Sequence, residues 1–348
     1  MNNKSAPPTF EQATNRRQKA RAAGLDPNYW YAVEHVSAMK PGQVQEVKFW
    51  GSSVALFRDD NGRFHAVEDR CAHRQLPLHI GVVKGDRLVC QYHGWEYNGA
   101  GELVSVAHST FGKGLPKCKL RNYPTRVRYG LVWIFFGDPA RADSTSMPEA
   151  PELEGEDRWE CVPVDFTWRA HHSMIIDNVS DFTHAFLHRK YKPFENAELK
   201  RLETKAMELA YEYPYQRSST DGKIKHWCFL LPIDECTTRV FFLFYFDSFV
   251  VPFTHMQIPR TLMRPFLKIS NELLIKPLLR QDEIAVQAEQ RGYEAHWDAP
   301  TLDLNPAVHA FQALTVRKWE EHLASQKSAV QDRLVKLRAR AKQDSDLQ

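Results

Sequence analysis

The sequence predicts an α+β protein of two parts, an antiparallel β domain followed by a domain in which strands precede long helices. Short strand-like runs separated by turn residues fill the region from residue 29 to residue 140. The stretch 138–158 is rich in Pro, Ala, Ser, Glu and Asp and has little periodicity, which is typical of a linker. Beyond it, strand patterns are followed by helical ones, which indicates an α+β domain.

Length and composition agree with two domains. The chain has 348 residues, of which 43% are hydrophobic and 26% charged, an ordinary globular composition. The net charge is only +3 and no dense basic stripe precedes the C-terminus, so no nucleic-acid partner is expected. The N-terminus lacks the apolar core of a signal peptide, and the most apolar run, 240–253, is too short to span a bilayer. We therefore expect a cytoplasmic protein without a membrane span.

The first part is predicted as a leader at 1–28 and a β domain at 29–140. The leader is polar and basic, and we expect a helical or frayed segment that packs on a neighbouring subunit. Turn residues such as Asp60-Asn61-Gly62 separate the strands. The predicted strands are 29–33, 44–50, 53–58, 63–67 and a closing strand at 125–136.

The second part is predicted as a linker at 141–158 and a domain at 159–348. A strand is expected at 159–168 and a helix at about 174–190. Further strands are expected between 206 and 249, and long helices from 272 onward. The tail at 316–342 is rich in charged, mostly basic residues, which favours a charged surface helix with a solvated face over an electrostatic docking site.

Two cysteines and two histidines mark the first chemical site, in the pattern C-x-H and then C-x-x-H. They are Cys71, His73, Cys90 and His93. This set matches a [2Fe–2S] centre with cysteines on one iron and histidines on the other. Zinc is the competing metal, but zinc fingers usually pair cysteine with cysteine, whereas each run here carries one of each. The loops around them contain Pro77, Gly81, Gly94 and Trp95, which permit tight turns and shield a cluster from solvent.

A second site is predicted on a helix that contains Asp181, His184 and His188. Their spacing of three and four residues would place a carboxylate and two imidazoles on one helical face. A third, anionic ligand would complete a 2-His-1-carboxylate triad for Fe(II) with open positions for oxygen. Asp282, Glu283 and Glu289 are the candidates, and residue chemistry alone leaves the choice among them nearly even.

Both constellations resemble those of the Rieske non-haem iron oxygenases, in their single-subunit-type α (terminal oxygenase) chains. The run 71–95 resembles the Rieske motif, and Asn178-x-x-Asp181-x-x-His184 followed by His188 resembles the iron-binding motif. Many members have four residues between the two histidines, and this chain has three. The resemblance extends from residue 29 to about 291 and implies a helix-grip-like catalytic domain with Asp282 as the third iron ligand.

The resemblance also implies how the two sites cooperate. It implies a homotrimer in which the cluster of one subunit faces the mononuclear iron of the next, bridged by Asp181 between His93 and His184. Asn178 is expected to assist in catalysis. O2 is the expected cosubstrate. Electrons are expected from a separate reductase or ferredoxin, with NAD(P)H acting only indirectly, because the chain has no Gly-rich nucleotide motif.

An apolar, ring-containing small molecule is the predicted substrate. We expect its pocket to be lined by the segments 211–231, with Tyr213, Tyr215, His226, Trp227 and Phe229, and 241–249. Because alternate residues of a strand face opposite sides, about half of these residues are expected in the ordinary core. Hydroxylation and oxidative demethylation use the same ligands, as do desaturation and dioxygenation, and the sequence does not rank them. A Rieske-type electron carrier without oxygen chemistry is the alternative function.

Overall fold

A computed structural model describes residues 6–110, 112–188, 207–220, 222–247, 249–250, 257–258 and 260–345. The first element is a short helix, α1 (Arg16–Ala22), which Asn15 caps by accepting a hydrogen bond from the Gln18 amide. Within these described residues no helix combines the length and apolarity that crossing a bilayer needs.

Three antiparallel sheets make up the N-terminal β domain. The first has the strand order β1-β11-β10, the second β2-β3-β4-β9 and the third β5-β6-β7-β8. The strands are β1 (Trp30–His35), β2 (Val44–Phe49), β3 (Ser52–Arg58), β4 (Phe64–Glu68), β5 (Val82–Lys84), β6 (Arg87–Val89), β7 (Glu96–Asn98), β8 (Leu103–Ser105), β9 (Asn122–Tyr123), β10 (Thr125–Arg128) and β11 (Leu131–Phe135). The four early strands agree with the predicted ones to within two residues.

The closing strand predicted at 125–136 is wrong, because the segment folds back on itself as the hairpin β10–β11. Tyr129 and Gly130 have φ angles of 54° and 75° and form its turn. The apolar pattern continues through the turn, so the sequence reads as one strand. A left-handed Tyr-Gly pair is a weak turn signal compared with Asn-Gly.

A five-stranded antiparallel sheet and, among the described residues, four helices form the C-terminal domain. The sheet order is β12-β16-β15-β14-β13. Its strands are β12 (Glu160–Trp168), β13 (Met207–Glu212), β14 (Tyr215–Thr220), β15 (Ile224–Asp234) and β16 (Thr237–Phe246), and a small ribbon adds β17 (Phe249–Val250) and β18 (Gln257–Ile258). The helices are α2 (His172–Ser180), α3 (Arg260–Ser270), α4 (Lys276–His296) and α5 (Pro306–Ser345), with a π turn at Asn271–Ile275 between α3 and α4.

The two domains share one apolar core, and the outward face of the five-stranded sheet is the surface that joins them. The Trp133 ring of β11 packs edge-on against Phe229 of β15, with ring centroids 4.8 Å apart. Beside this contact, the Arg239 guanidinium donates to Glu34 at 2.9 and 3.0 Å and to Asp165 at 2.8 Å. The apolar contact and the charged one together set the position of the β domain on the sheet.

The leader packs on helices of its own chain, and its expected contact with a neighbouring subunit stays a prediction. Helix α1 contacts α2 and α5. Its Arg21 side chain is 2% exposed and lies 2.7 Å from Asp177 of α2 and 2.8 Å from Glu289 of α4. Arg21 therefore ties together two of the helices that surround the second predicted site.

We expect Arg21→Met to lower the free energy of unfolding by about 3 kcal/mol at pH 8, because it leaves the Asp177 carboxylate buried without its cation. Burial raises the pKa of Asp177 to about 6 even with Arg21 present. An acid that holds its proton more tightly in the folded state destabilises that state as pH rises through the folded pKa. Urea unfolding at pH 5, where Asp177 can stay protonated, should show a smaller loss than at pH 8.

Glu289→Gln is the matched control, because the Glu289 side chain is 40% exposed. Its loss should stay within about 1 kcal/mol at either pH. Equal losses for Arg21→Met at the two pH values would contradict an unpaired Asp177 charge as the cause.

Candidate metal centres

The four residues of the first site lie at the ends of two facing loops in the β domain. Cys71 and Cys90 are 2% and 3% exposed, while His73 and His93 are only partly buried and their ring centroids are 4.5 Å apart. Both thiols are free rather than joined in a disulfide. The thiols therefore lie on the inner side of the site and the imidazoles on the side facing solvent.

Backbone conformation and packing explain how these loops stay tight. Gly94 has a φ angle of 64°, and a Cβ there would lie 2.6 Å from the Ala107 Cβ. A Cβ on Gly81 would lie 2.3 Å from the Val89 carbonyl oxygen. The Trp95 ring stacks on His73 with centroids 4.8 Å apart and an interplanar angle of 2°. Glycine is thus required at both turns, and Trp95 fixes the plane of one imidazole, as expected of the loops from the sequence.

The donor set fits an iron–sulfur cluster. Two soft thiolates and two imidazoles converge from two loops, as in centres where cysteines hold one iron and histidines the other. The buried Nδ1 atom of His73 has no hydrogen-bond partner among the described residues. At a site of this composition, an imidazole nitrogen without a hydrogen-bond partner is the atom that would bind a metal.

The second site brings together the residues predicted for it. His184 Nε2 lies 3.4 Å and His188 Nε2 lies 3.3 Å from Asp282 Oδ1. The three donor atoms all lie within 4.8 Å of one another. Ligands about 2.1 Å from an ion in adjacent octahedral positions are about 3 Å apart, so the three atoms fit one face of an octahedron. The opposite face would be open to other ligands.

The helix predicted at about 174–190 is wrong, because α2 ends at Ser180. The Asp181 carboxylate accepts hydrogen bonds from the Thr183 amide at 2.9 Å and the Thr183 hydroxyl at 2.5 Å, which starts a new 3-10 turn at Phe182–Phe186. His184 has ψ = 21° and departs from helical geometry. The two histidines therefore converge through a kinked turn and not as neighbours on one regular helical face.

The other two acidic candidates are engaged elsewhere. Glu283 accepts a hydrogen bond from Gln287 at 2.9 Å. Glu289 is paired with Arg21. Asp282 is 6% exposed and is the acidic residue that contacts both imidazoles. The structure therefore places Asp282, and not its two rivals, beside the histidines.

Two amides orient the site. Gln281 Oε1 lies 3.0 Å from His188 Nδ1, which favours the proton on that nitrogen and the lone pair on Nε2, the atom that lies 3.3 Å from Asp282 Oδ1. Asn178 Nδ2 lies 3.4 Å from Asp282 Oδ1. Asn178 was among the residues predicted from the sequence, and Gln281 was not. Gln281 is next to Asp282 in the sequence, but that position alone does not show that its side chain turns toward His188.

The electrostatics of the imidazoles suit metal binding. Burial lowers the pKa of His184, so it is neutral near pH 7. Burial also acts to lower the pKa of His188, but the hydrogen bond and negative charge of Asp282 outweigh it and raise that pKa. A cation at the site would take over the role that protonated His188 plays beside the carboxylate.

A cavity of about 710 Å³ adjoins the second site on the side of the leader. Asp181 and His184 line it together with Arg16 and Arg17 of α1. Asp181 Oδ1 accepts from Asn305 at 3.0 Å, and His184 Nδ1 has no hydrogen-bond partner among the described residues. Asp181 is thus beside His184 at the wall of an open cleft, without the side-chain hydrogen bond that a bridge would require.

The predicted pocket segments divide between the two faces of the sheet. Tyr213, Tyr215, Trp227 and Phe229 belong to the apolar core, and Tyr215 and Phe229 pack against Trp133 of the β domain. His226 and Phe244 lie on the opposite face, with ring centroids 5.1 Å apart. The expected division between core and pocket is therefore seen for the first four residues, and a pocket role for the residues on the other face stays a prediction.

Comparison with known proteins gives a matching family and several similar proteins. Residues 29–124 match the family described as the Rieske [2Fe-2S] domain. The chain is 43% identical to a 4beta-methylsterol monooxygenase from Methylococcus capsulatus over 90% of this chain and 94% of that protein. It is 35% identical to the toluene-4-sulfonate monooxygenase iron-sulfur subunit TsaM1 of Comamonas testosteroni, over 46% of each chain.

Solved structures show the same fold at low identity. Dicamba monooxygenase bound to dicamba aligns with a TM-score of 0.64 and 20% identity over 87% of this chain and 100% of that one. NdmA of Pseudomonas putida CBB5 aligns with a TM-score of 0.64 and 21% identity over 90% of this chain and 94% of that one. The predicted α+β class, with a sheet-rich N-terminal domain, is confirmed.

Gln281→Leu should weaken Fe(II) binding at the second site by about 10- to 100-fold, because it removes the acceptor that fixes the His188 tautomer. Equilibrium dialysis of the cluster-loaded protein against Fe(II) would measure the change. Gln287→Leu, six residues further along α4, serves as the control and should leave the affinity unchanged. Equal affinities for the two variants would show that Gln281 does not orient His188.

Proposed function

Because this chain belongs to the Rieske non-haem iron oxygenases, we propose that it is a terminal oxygenase that hydroxylates or oxidatively demethylates a polycyclic, mostly apolar small molecule of the sterol class. The observation that carries the oxygenase function is the second metal site, with His184, His188 and Asp282 within 4.8 Å of one another. An electron carrier would not need that site. The 43% identity to a methylsterol monooxygenase supports the substrate class.

The ligand assignments are part of the proposal. Cys71, His73, Cys90 and His93 would hold the [2Fe–2S] cluster, and His184, His188 and Asp282 would hold the mononuclear iron. When bound, these groups supply single-electron transfer and the activation of dioxygen. The division into a leader at 1–28, a cluster domain at 29–140, a linker at 141–158 and a catalytic domain at 159–348 is proposed with them.

Within the chain, the residues around Asp282 have the task of keeping three ligands in place and one side of the site open. Gln281 keeps the His188 Nε2 lone pair directed at the site, and Asn178 steadies the Asp282 carboxylate. Arg21 holds α2 and α4, which carry Asn178 and Asp282, against each other. A fixed ligand geometry lowers the cost of reorganisation when a substrate binds.

Electrons are supplied by a separate reductase or ferredoxin, and we propose that three copies assemble so that one subunit's cluster domain enters the cleft beside Asp181 of the next. Tyr92, next to His93, is 57% exposed, and Leu302 and Leu304 near the cleft are 97% and 92% exposed. Large exposed apolar side chains in two such places suit a contact between subunits. Hydrogen bonds from Thr183 and Asn305 outweigh burial and keep the pKa of Asp181 below its usual value, so its carboxylate can accept from imidazole N–H groups.

The substrate proposal predicts turnover of a 4-methylsterol. With NADH, a surrogate reductase and ¹⁸O₂, the purified protein should introduce one labelled oxygen atom into the sterol methyl group, detected by mass spectrometry. His188→Ala should abolish labelling while the ultraviolet–visible spectrum of the cluster persists. Labelling that survived in His188→Ala would contradict the second site as the place of oxygen chemistry.

The assembly proposal predicts complementation between two inactive variants, Cys90→Ser in the cluster and His188→Ala in the iron site. Co-expressed with different tags and purified for both, a mixed trimer has one interface where an intact cluster meets an intact iron site. We therefore expect about one third of wild-type activity. An inactive mixed species, or a dually tagged protein whose mass by light scattering is not that of three chains, would contradict the arrangement.

A further inference from the structure

The inward face of the five-stranded sheet carries the polar side chains of Gln216, Ser218 and His226, which belong to neither metal site. In the antiparallel register Gln216 lies opposite Cys228, Ser218 opposite His226, and His226 opposite Phe244, so all of them share one face. The outward face of the same strands packs on the β domain. The inward face is the one covered by helices, since the ring of Tyr211, opposite Gln216, contacts Phe311 of α5.

The inward face is the side of the sheet on which the helix leading to the second metal site packs. Helix α2 packs on β15, and it is the helix that carries Asn178 and leads into the turn with His184. A substrate held between the helices and the sheet would therefore have the iron ligands on one side and the side chains of β14 and β15 on the other.

Gln216 is the strongest sign of a missing ligand group on this face. Its side chain is 0% exposed, and neither Oε1 nor Nε2 has a hydrogen-bond partner among the described residues. Folded proteins pair nearly all their buried amides, since an unpaired one has lost water without compensation. In the ligand-free protein the Gln216 amide, which could both donate and accept hydrogen bonds, therefore does neither with the described residues.

A second polar group lies next along the same strand. The Ser218 hydroxyl is 2.8 Å from His226 Nδ1. Burial lowers the pKa of His226 to about 4, so the ring is neutral at physiological pH, yet the side chain is not completely covered. The ring is therefore uncharged and keeps some surface that a ligand could reach. Its neighbours on the face are uncharged, and they are Leu209, Cys228, Phe242 and Phe244.

We propose that Gln216 and the Ser218–His226 pair form the polar subsite of the substrate pocket and receive a single uncharged hydroxyl group. A hydroxyl both donates and accepts, which matches the amide of Gln216 and a neutral imidazole. A carboxylate or sulfonate would find no cation among these neighbours on the face. The inference rests on the proposed function, because a sterol is an apolar polycycle with one hydroxyl.

The ligand-free protein provides the first test. Gln216→Leu replaces an unpaired amide with an apolar side chain of similar size, so the melting temperature should stay the same or rise. A structural glutamine would instead give a clear fall. Ser219→Ala is the control on the same strand, since Ser219 is 9% exposed and points to the opposite face.

The second test compares two probes, a 4-methylsterol and the same molecule with its hydroxyl replaced by hydrogen. Equilibrium binding to the iron-loaded protein, without reductant, separates binding from turnover. The wild-type protein and Ser219→Ala should prefer the sterol by about 10- to 100-fold, because the deoxy probe leaves the buried amide unpaired. Gln216→Leu and His226→Phe should reduce that preference to about threefold or less, by weakening sterol binding and not deoxy binding.

The outcomes separate this subsite from the proposed function. If the wild-type protein oxidises the sterol but both variants retain the full preference, the subsite is wrong and the function stands. A parallel loss of affinity for both probes would also overturn it, since that is the effect of general repacking. A wild-type protein that neither binds nor oxidises the sterol would overturn the substrate class and the subsite together.

Discussion

The catalytic part of the structure depends on one contact, the Asp282 carboxylate between two imidazoles. His184 and His188 follow a helix that ends early, and Asp282 comes from a helix about one quarter of the chain further on. A buried carboxylate between two imidazoles is stable only if a positive charge, either a metal ion or a proton on His188, neutralises Asp282. The helices around the sheet are therefore arranged to keep α2, the following turn and α4 in one fixed relation.

The leader and the sheet maintain that relation from opposite sides. On the outer side, Arg21 neutralises Asp177 of α2 and contacts Glu289 of α4. On the inner side, α2 rests on β15, whose outward face is anchored to the β domain through Phe229 and Trp133. The charged contacts of Arg21 on one side and the apolar contact with the sheet on the other therefore hold α2 in place.

The sequence was informative where chemistry or periodicity is local, and less so where geometry depends on distant partners. The early β strands follow from short-range patterns and were placed correctly, and the four cluster residues follow from a short-range pattern whose role as ligands stays a prediction. The prediction of a continuous helix through Asp181 was wrong because the Asp181 carboxylate accepts a hydrogen bond from the Thr183 amide. This hydrogen bond competes with the helical one, and residue spacing does not show it. Residues such as Gln281, Arg21 and Gln216 owe their roles to what lies across the fold, and nothing in their neighbours along the chain marks them.

The five-stranded sheet explains why the sequence alone does not show which of its aromatic residues belong to the core and which could line a pocket. Alternation in a strand gives two faces, and in this protein both are apolar, because one joins the β domain and the other faces helices. The pairing of their polar groups distinguishes them, since Arg239 and Asp165 on the domain-joining face are bonded to each other, whereas the buried Gln216 amide on the other face has no partner among the described residues. The placement of Gln216, Ser218 and His226 on the helix-covered face is thus what separates the side that holds the protein together from the side that can receive a ligand.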